Sequence, residues 1–138
     1  MRLAAALALS LFLVTPAFAM PEYSPAKPAP LIDRLMFCDR LDQIRAVVMN
    51  VKAANDVMAA AVAAAKVNRK VSARACGVSK LPLAFYIERT LGVATNGRWH
   101  YSLQRVRIVG MSYRGDIWPR PRTIAPVQYV ATLIGELA

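Results

Sequence analysis

The spacing of apolar residues predicts a helix near the start of the chain. Apolar side chains recur three and four residues apart from Leu41 to Val51, which is typical of one face of an amphipathic helix. Asp39 and Asp42 stand at its predicted start, where an acidic side chain can cap the helix and suits the positive end of its dipole. We therefore assign this acidic pair to helix capping and not to a catalytic or metal site.

The alanine-rich stretch from Asn55 to Asn68 also predicts helix, because alanine is the best helix former. The pattern leaves open whether one long helix or two cover the region. We favour two helices, with a break near residues 53–55 and with Asn55 or Asp56 as the cap of the second.

The second half of the chain has the composition of β-strands. Strands are predicted at Leu83–Thr90, Arg98–Val109 and Val127–Leu133. The sequence Thr95-Asn96-Gly97 predicts a turn between the first two of these strands. The apolar positions of the middle strand change parity between Leu103 and Val106, which predicts a β-bulge near Leu103–Arg105.

These elements predict an α+β fold, with residues 31–138 forming a single domain. One or two N-terminal helices would pack on one face of a small antiparallel sheet of three to five strands. The chain of 138 residues is long enough for one domain with its own core.

The first thirty residues predict export. Residues 1–19 have a basic start, an apolar run from Leu3 to Val14 and small residues at Ala17 and Ala19, the pattern of a signal peptide cleaved near Ala19. The run is too short for a membrane-spanning helix. Residues 20–30 contain four prolines, which predict an extended linker. We therefore expect the mature protein in the periplasm or outside the cell, with no membrane span after cleavage.

Export determines how the two cysteines are interpreted. Cys38 and Cys76 are expected to form a disulfide, because exported chains mature in an oxidising compartment; two buried free thiols are the alternative. The bridge would join the start of the first helix to the start of the sheet. Its wide spacing differs from a C-x-x-C redox pair and favours a structural role.

Positive charge is concentrated in the second half of the chain. Twelve basic and two acidic residues lie between Lys66 and Arg122, whereas five of each lie between Met20 and Ala65. Such a half attracts anionic surfaces, including lipid headgroups, lipopolysaccharide, acidic glycans, nucleic acid and acidic proteins. Solvated arginines on strand faces are the alternative interpretation.

Catalytic motifs are missing from the sequence. His100 is the only histidine, and nothing in the sequence links it to a nucleophile or a carboxylate. No His, Cys or acidic cluster has metal-ligand spacing, and no G-x-S-x-G or C-x-x-C-H motif occurs. We therefore predict no cofactor, no metal site and no enzymatic activity, with a hydrolase built around His100 as the enzymatic alternative.

Arginines and aromatic residues, including Tyr113 and Trp118, are interleaved between Arg98 and Arg122. Such groups can stack on bases or sugars and pair with phosphates. Strand alternation places Trp99 and Tyr101 inward, so a solvated arginine face over an aromatic core is the alternative. The exposed candidates for an anionic contact are Arg114, Arg120 and Arg122.

Several short motifs resemble a group of small, uncharacterised exported proteins of Gram-negative bacteria. The motifs are Cys38-Asp39, Val67-Asn68, Ala75-Cys76-Gly77, Arg105–Gly110 and Pro126–Tyr129. The resemblance spans Cys38 to Thr132 and implies paired cysteines and a helix-then-sheet order. It implies no activity and no functional residue.

The sequence therefore predicts a non-enzymatic periplasmic or secreted binding module for an anionic partner or surface. The partner would be an anionic envelope component or another exported protein, and no nucleic acid is expected in vivo. A small inhibitor or accessory protein that docks on an exported enzyme is the alternative.

Overall fold

The computed structural model describes residues 28–97 and 99–136. The predicted signal peptide, most of the predicted linker and Arg98 lie outside the described residues. The elements follow one another as β1 (Leu31–Asp33), β2 (Met36–Cys38), α1 (Leu41–Asn50), α2 (Val57–Val71), β3 (Cys76–Val78), β4 (Leu83–Asn96), β5 (Trp99–Tyr113), β6 (Asp116–Trp118) and β7 (Val127–Glu136).

The predicted α+β fold with helices first is wrong. Of the described residues, 47% lie in strands and 23% in helices, and one antiparallel sheet curls into a half-barrel. Its strand order is β1-β4-β5-β7-β2-β3, with β6 paired to β5 beyond the end of β7. β1 and β2 precede the helices, and the β4–β5 hairpin is longer than predicted, so the sheet dominates the fold.

The sheet carries an apolar cluster on each of its faces. Leu103 belongs to the cluster beneath the two helices, together with Ile44 and Val67. Val106 and Ile108 belong to a second cluster, which also includes Leu83, Phe85 and Ile124. Since alternate residues of a strand point to opposite faces, β5 contributes to one cluster with its first half and to the other with its second half.

The change of parity in β5 therefore has a different cause from the predicted bulge. Between Tyr101 and Arg107, β5 pairs with β7 without a register shift, so the bulge predicted near Leu103–Arg105 is wrong. The register shifts opposite this stretch lie in β4, between Ile87 and Arg89 and between Thr90 and Gly92. Burial on both faces produces the change of parity.

The helical region forms two helices, as favoured from the sequence. The Asp56 carboxylate caps α2, because its Oδ1 accepts hydrogen bonds from the backbone N–H groups of Met58 (2.9 Å) and Ala59 (3.1 Å). Asp39 does not cap α1, so that prediction is wrong; Arg40 is the N-cap and makes no side-chain cap bond. Asp39 instead accepts a hydrogen bond from the Gln128 amide at 2.9 Å.

The predicted disulfide is confirmed. Cys38 and Cys76 face each other directly across the β2–β3 pair, with their Cα atoms 4.1 Å apart. Asn68 of α2 adds two bonds to the same place: its Oδ1 accepts from the Cys76 N–H (2.7 Å), and its Nδ2 donates to the Cys76 carbonyl (2.8 Å). The bridge and Asn68 together fasten α2 and β3 to the sheet.

Candidate functional site

The three arginines proposed from the sequence lie on two segments. Arg114 occupies the turn between β5 and β6, whereas Arg120 and Arg122 lie in the connection from β6 to β7. β6 separates the two segments, and three extended residues span about 10 Å. The three arginines therefore lie in different environments.

Arg120 and Arg122 differ in how accessible their side chains are to a partner. The Arg120 side chain is half-buried, and its Nη1 donates a hydrogen bond to the Ile124 carbonyl. Because Ile124 is part of the second apolar cluster, Arg120 helps to fold its own loop. Arg122 is exposed on the same loop and is the better placed of the two to meet a partner.

Arg114 lies in a strained turn at the end of the β5–β6 hairpin. Arg114 has φ 50° and Gly115 has φ 82°, and a two-residue type I′ turn requires positive φ at both positions. Glycine tolerates this conformation, but a residue with a Cβ loses about 1 kcal/mol or more there. Strain of this kind clusters at functional sites, so the exposed Arg114 side chain is a candidate contact.

Two exposed aromatic rings accompany Arg114. Tyr113 is 42% exposed and Trp118 is 50% exposed. Tyr113 pairs with Asp116 and Met111 with Trp118, so alternation places both rings on one face of the hairpin. The Trp118 indole N–H donates to the Tyr113 carbonyl at 3.3 Å, and the Arg114 guanidinium lies 5.3 Å from the centre of the Tyr113 ring. We call Tyr113, Arg114 and Trp118 the hairpin tip.

Gly110 allows β6 to lie against β5. A Cβ at Gly110 would stand 2.6 Å from the carbonyl oxygen of Trp118, closer than such atoms approach. The strand that carries Trp118 therefore requires glycine at this position. The sequence identifies Arg114 as a candidate contact but predicts neither its strain nor the role of Gly110, because the predicted strand ends at Val109 and leaves Gly110 outside it.

The other sequence-derived candidates are occupied within the fold. Trp99 and Tyr101 point inward as predicted, toward the cluster beneath the helices. Arg105 and Arg107 lie on either side of Glu88, with N···O distances of 3.7 and 3.5 Å. Glu88 therefore neutralises part of the charge on the β4–β5 hairpin, while Asp116 is the acidic residue that faces the rings of the hairpin tip.

A cleft of about 300 Å³ lies between the start of α2 and the sheet. Its lining is mostly apolar, with Tyr101 of β5 among the lining residues. Burial raises the pKa of Tyr101, so its hydroxyl stays neutral at physiological pH and is suited to hydrogen bonding and not to acting as a base. Asp56, which also lines the cleft, is engaged in capping α2.

The geometry around His100 is that of a hairpin surface. Its Nδ1 lies 3.2 Å from the Thr95 hydroxyl, its neighbour across the β4–β5 pair.

Within the described ranges, no three His, Cys, Asp or Glu side chains come together as a metal site. In the same part of the chain, neither helix is long and apolar enough to cross a membrane.

Comparison of the chain with protein-family models, with curated proteins and with solved structures found no match.

Proposed function

We propose that the protein is a periplasmic or secreted binding module for an anionic partner, and that the hairpin tip makes the contact. The observation that carries the proposal is the joint exposure of Tyr113 and Trp118 beside the strained Arg114. Flat rings can stack on the faces of sugars or bases, and a guanidinium can form paired hydrogen bonds with a carboxylate or phosphate. A partner with anionic groups along a chain of rings would satisfy both.

The charge of the chain supports the same proposal. The net charge is +10, so an anionic partner is attracted before any specific contact forms. Arg122 is exposed on the loop that follows the hairpin tip, and it adds a second cation, after Arg114, to the proposed contact. Arg120 contributes by folding that loop.

The disulfide and the described helices are compatible with the proposed compartment. A Cys38–Cys76 bridge is maintained in an oxidising environment, and neither described helix is suited to span a bilayer. The predicted signal peptide, residues 1–19, would direct export to that compartment.

Binding to polyanions of defined chemistry tests the proposal. The disulfide-bonded protein is titrated with polygalacturonate and with linear polyphosphate, and neutral dextran serves as the control ligand. We expect binding to both polyanions that weakens steeply between about 50 mM and about 500 mM salt. Binding that is insensitive to salt, or equal binding of dextran, would contradict the proposal.

Variants then locate the contact. Arg114→Gln combined with Arg122→Gln is expected to weaken polyanion binding about tenfold, since each exposed contact is worth a few-fold. Arg45→Gln combined with Lys52→Gln, which removes two exposed cations from α1 and the segment after it, is the matched control and is expected to bind as the unmodified protein does. Equal losses in the two variants would mean that overall charge acts and that the hairpin tip does not.

The second candidate function is a small inhibitor or accessory protein that docks on an exported enzyme. Tryptophan, tyrosine and arginine, the residues of the hairpin tip, are also the types enriched at the energetic centre of protein interfaces. Recovery of one stoichiometric partner from periplasmic extract, lost on Trp118→Ala, would favour this function over the first.

A further inference from the structure

The outer face of α2 carries an apolar stripe that the fold does not cover. Ala63, Ala64 and Val67 are buried against the body of the protein. On the opposite side Met58 is 73% exposed and Val62 is 50% exposed. Residues 58, 62 and 65 follow one another at four- and three-residue spacing, so Met58, Val62 and the exposed Ala65 form one continuous stripe. We call these three residues the α2 stripe.

The α2 stripe ends in positive charge. Arg69 follows Ala65 by four residues and therefore continues the same line, and Lys70 lies beside it. Both are exposed, and Arg74 follows as a third exposed cation. Between Val57 and Arg74 the chain has no acidic residue. In the part of the chain that the structure describes, Arg69 and Lys70 make no ion pair.

Cations in a last helical turn also suit the negative end of the helix dipole, which explains Arg69 and Lys70 in part. That explanation does not extend to Met58, because an exposed methionine gains nothing from the dipole. A helix that is apolar on both sides is expected to be covered on both sides. The combination of the α2 stripe and the cations therefore favours a partner that has both an apolar part and anionic groups.

We propose that the α2 stripe docks on an anionic lipid bilayer, with α2 lying in the plane of the interface. Fifteen helical residues span about 22 Å, enough to lie along a bilayer surface. Met58 and Val62 enter the boundary between headgroups and acyl chains, while Arg69, Lys70 and Arg74 meet the anionic headgroups. This surface is separate from the hairpin tip and gives the protein a second contact for an anionic partner.

The side chains of the α2 stripe favour a bilayer over a protein partner or a second copy of this chain. The stripe consists of a methionine, a valine and an alanine, and it lacks the aromatic anchors that dominate protein interfaces. A second copy of this chain would bring together two bodies of net charge +10. Fluid hydrocarbon with anionic headgroups requires no shape complementarity and neutralises the charge.

Co-sedimentation of the disulfide-bonded protein with vesicles tests the inference. One vesicle preparation contains equal parts of phosphatidylglycerol and phosphatidylcholine, and the other contains phosphatidylcholine alone. We expect partitioning onto the anionic vesicles only, lost at about 500 mM salt. Met58→Ser combined with Val62→Ser is expected to lower partitioning about tenfold. Arg69→Gln combined with Lys70→Gln is expected to lower it more than tenfold, because each cation contributes about fivefold.

Met49→Ser combined with Val93→Ser is the matched control, because Met49 on α1 is 62% exposed and Val93 on β4 is 55% exposed. It is expected to partition as the unmodified protein does, and thermal unfolding of every variant checks that the fold is retained. Equal partitioning of the Met58/Val62 variant, or binding to phosphatidylcholine alone, would overturn the inference. A fall in oligomeric mass in the Met58/Val62 variant would overturn it in favour of a second copy.

Polygalacturonate separates this inference from the proposed function. Protein that binds the polyanion but not the vesicles refutes the bilayer contact and leaves the hairpin tip intact. Protein that binds vesicles but neither polygalacturonate nor polyphosphate refutes the hairpin tip and leaves the bilayer contact intact.

Discussion

The hairpin tip and the α2 stripe both place exposed apolar groups beside cations, yet they differ in the kind of apolar side chain that they present. At the hairpin tip a strained turn holds Arg114, and a hydrogen bond to the Tyr113 carbonyl holds the Trp118 ring. The α2 stripe belongs to a regular helix, and its side chains are aliphatic. Aromatic rings held beside a cation suit a ligand whose rings and charges are fixed relative to one another, whereas aliphatic groups suit a fluid hydrocarbon surface.

The two regions also differ in how they are fastened. The hairpin tip continues β5, which pairs with β4 on one side and with β7 and β6 on the other. α2 is fastened at its C-terminal end through β3, by the disulfide and by Asn68. Loss of the disulfide should therefore affect α2 long before it affects the hairpin tip.

The largest expected effect follows from removing the disulfide by Cys38→Ser combined with Cys76→Ser. Opening the loop of 38 residues lowers the free energy of unfolding by about 4 kcal/mol from loop-closure entropy. Urea unfolding measures the loss, and hydrogen exchange is expected to show α2 and β3 exposed before β5. Reduced, unmodified protein should behave in the same way. Uniform loss of protection across both regions would contradict the difference in fastening.

Gly110→Ala is expected to disturb the hairpin tip alone. The new Cβ would meet the Trp118 carbonyl oxygen, so β6 must shift, at a cost of about 1 to 3 kcal/mol in stability. We expect a changed Trp118 environment by fluorescence and weaker polyanion binding, with vesicle binding retained. Gly135→Ala is the control, because a Cβ there would meet nothing within 4 Å. Unchanged polyanion binding in the Gly110 variant would contradict the assigned role of β6.

Arg114→Asn has the smallest expected effect on stability, and it should raise it. Asparagine tolerates the left-handed conformation better than arginine, so the free energy of unfolding is expected to rise by about 0.5 to 1 kcal/mol. Polyanion binding should fall several-fold in the same variant. Ser72→Asn is the control for binding. Ser72 has a similar left-handed conformation, with φ 53°, but lies at the end of α2, away from the hairpin tip. A less stable Arg114 variant with intact binding would refute the functional origin of the strain.

Local patterns predicted the parts of the fold that depend on local interactions. The spacing of apolar residues and the Asp56 cap identified both helices, and the long runs of β-forming residues identified β4, β5 and β7. The cysteines could be paired because only one pairing within the chain exists. Each of these signals lies within a short stretch or needs no geometry.

The features that sequence reasoning missed depend on tertiary contacts. β1, β2 and β3 have three residues each, too few for alternation to be visible. The position of Asp39 before a helix predicts a cap, but pairing of Cys38 with Tyr129 carries Asp39 beside Gln128. The predicted site includes Arg120, which folds its own loop, and leaves out the α2 stripe, because the exposure of these apolar residues depends on what packs against the opposite side of the helix.

The most direct test of the account is a crossed binding experiment with two double variants and two ligands. Arg114→Gln/Arg122→Gln and Met58→Ser/Val62→Ser are each titrated with polygalacturonate and with phosphatidylglycerol-containing vesicles. If the two contacts are separate, the first variant loses only binding to the polymer and the second loses only binding to the vesicles. If both variants lost both ligands to the same extent, or if neither lost either, two separate anionic contacts would be contradicted.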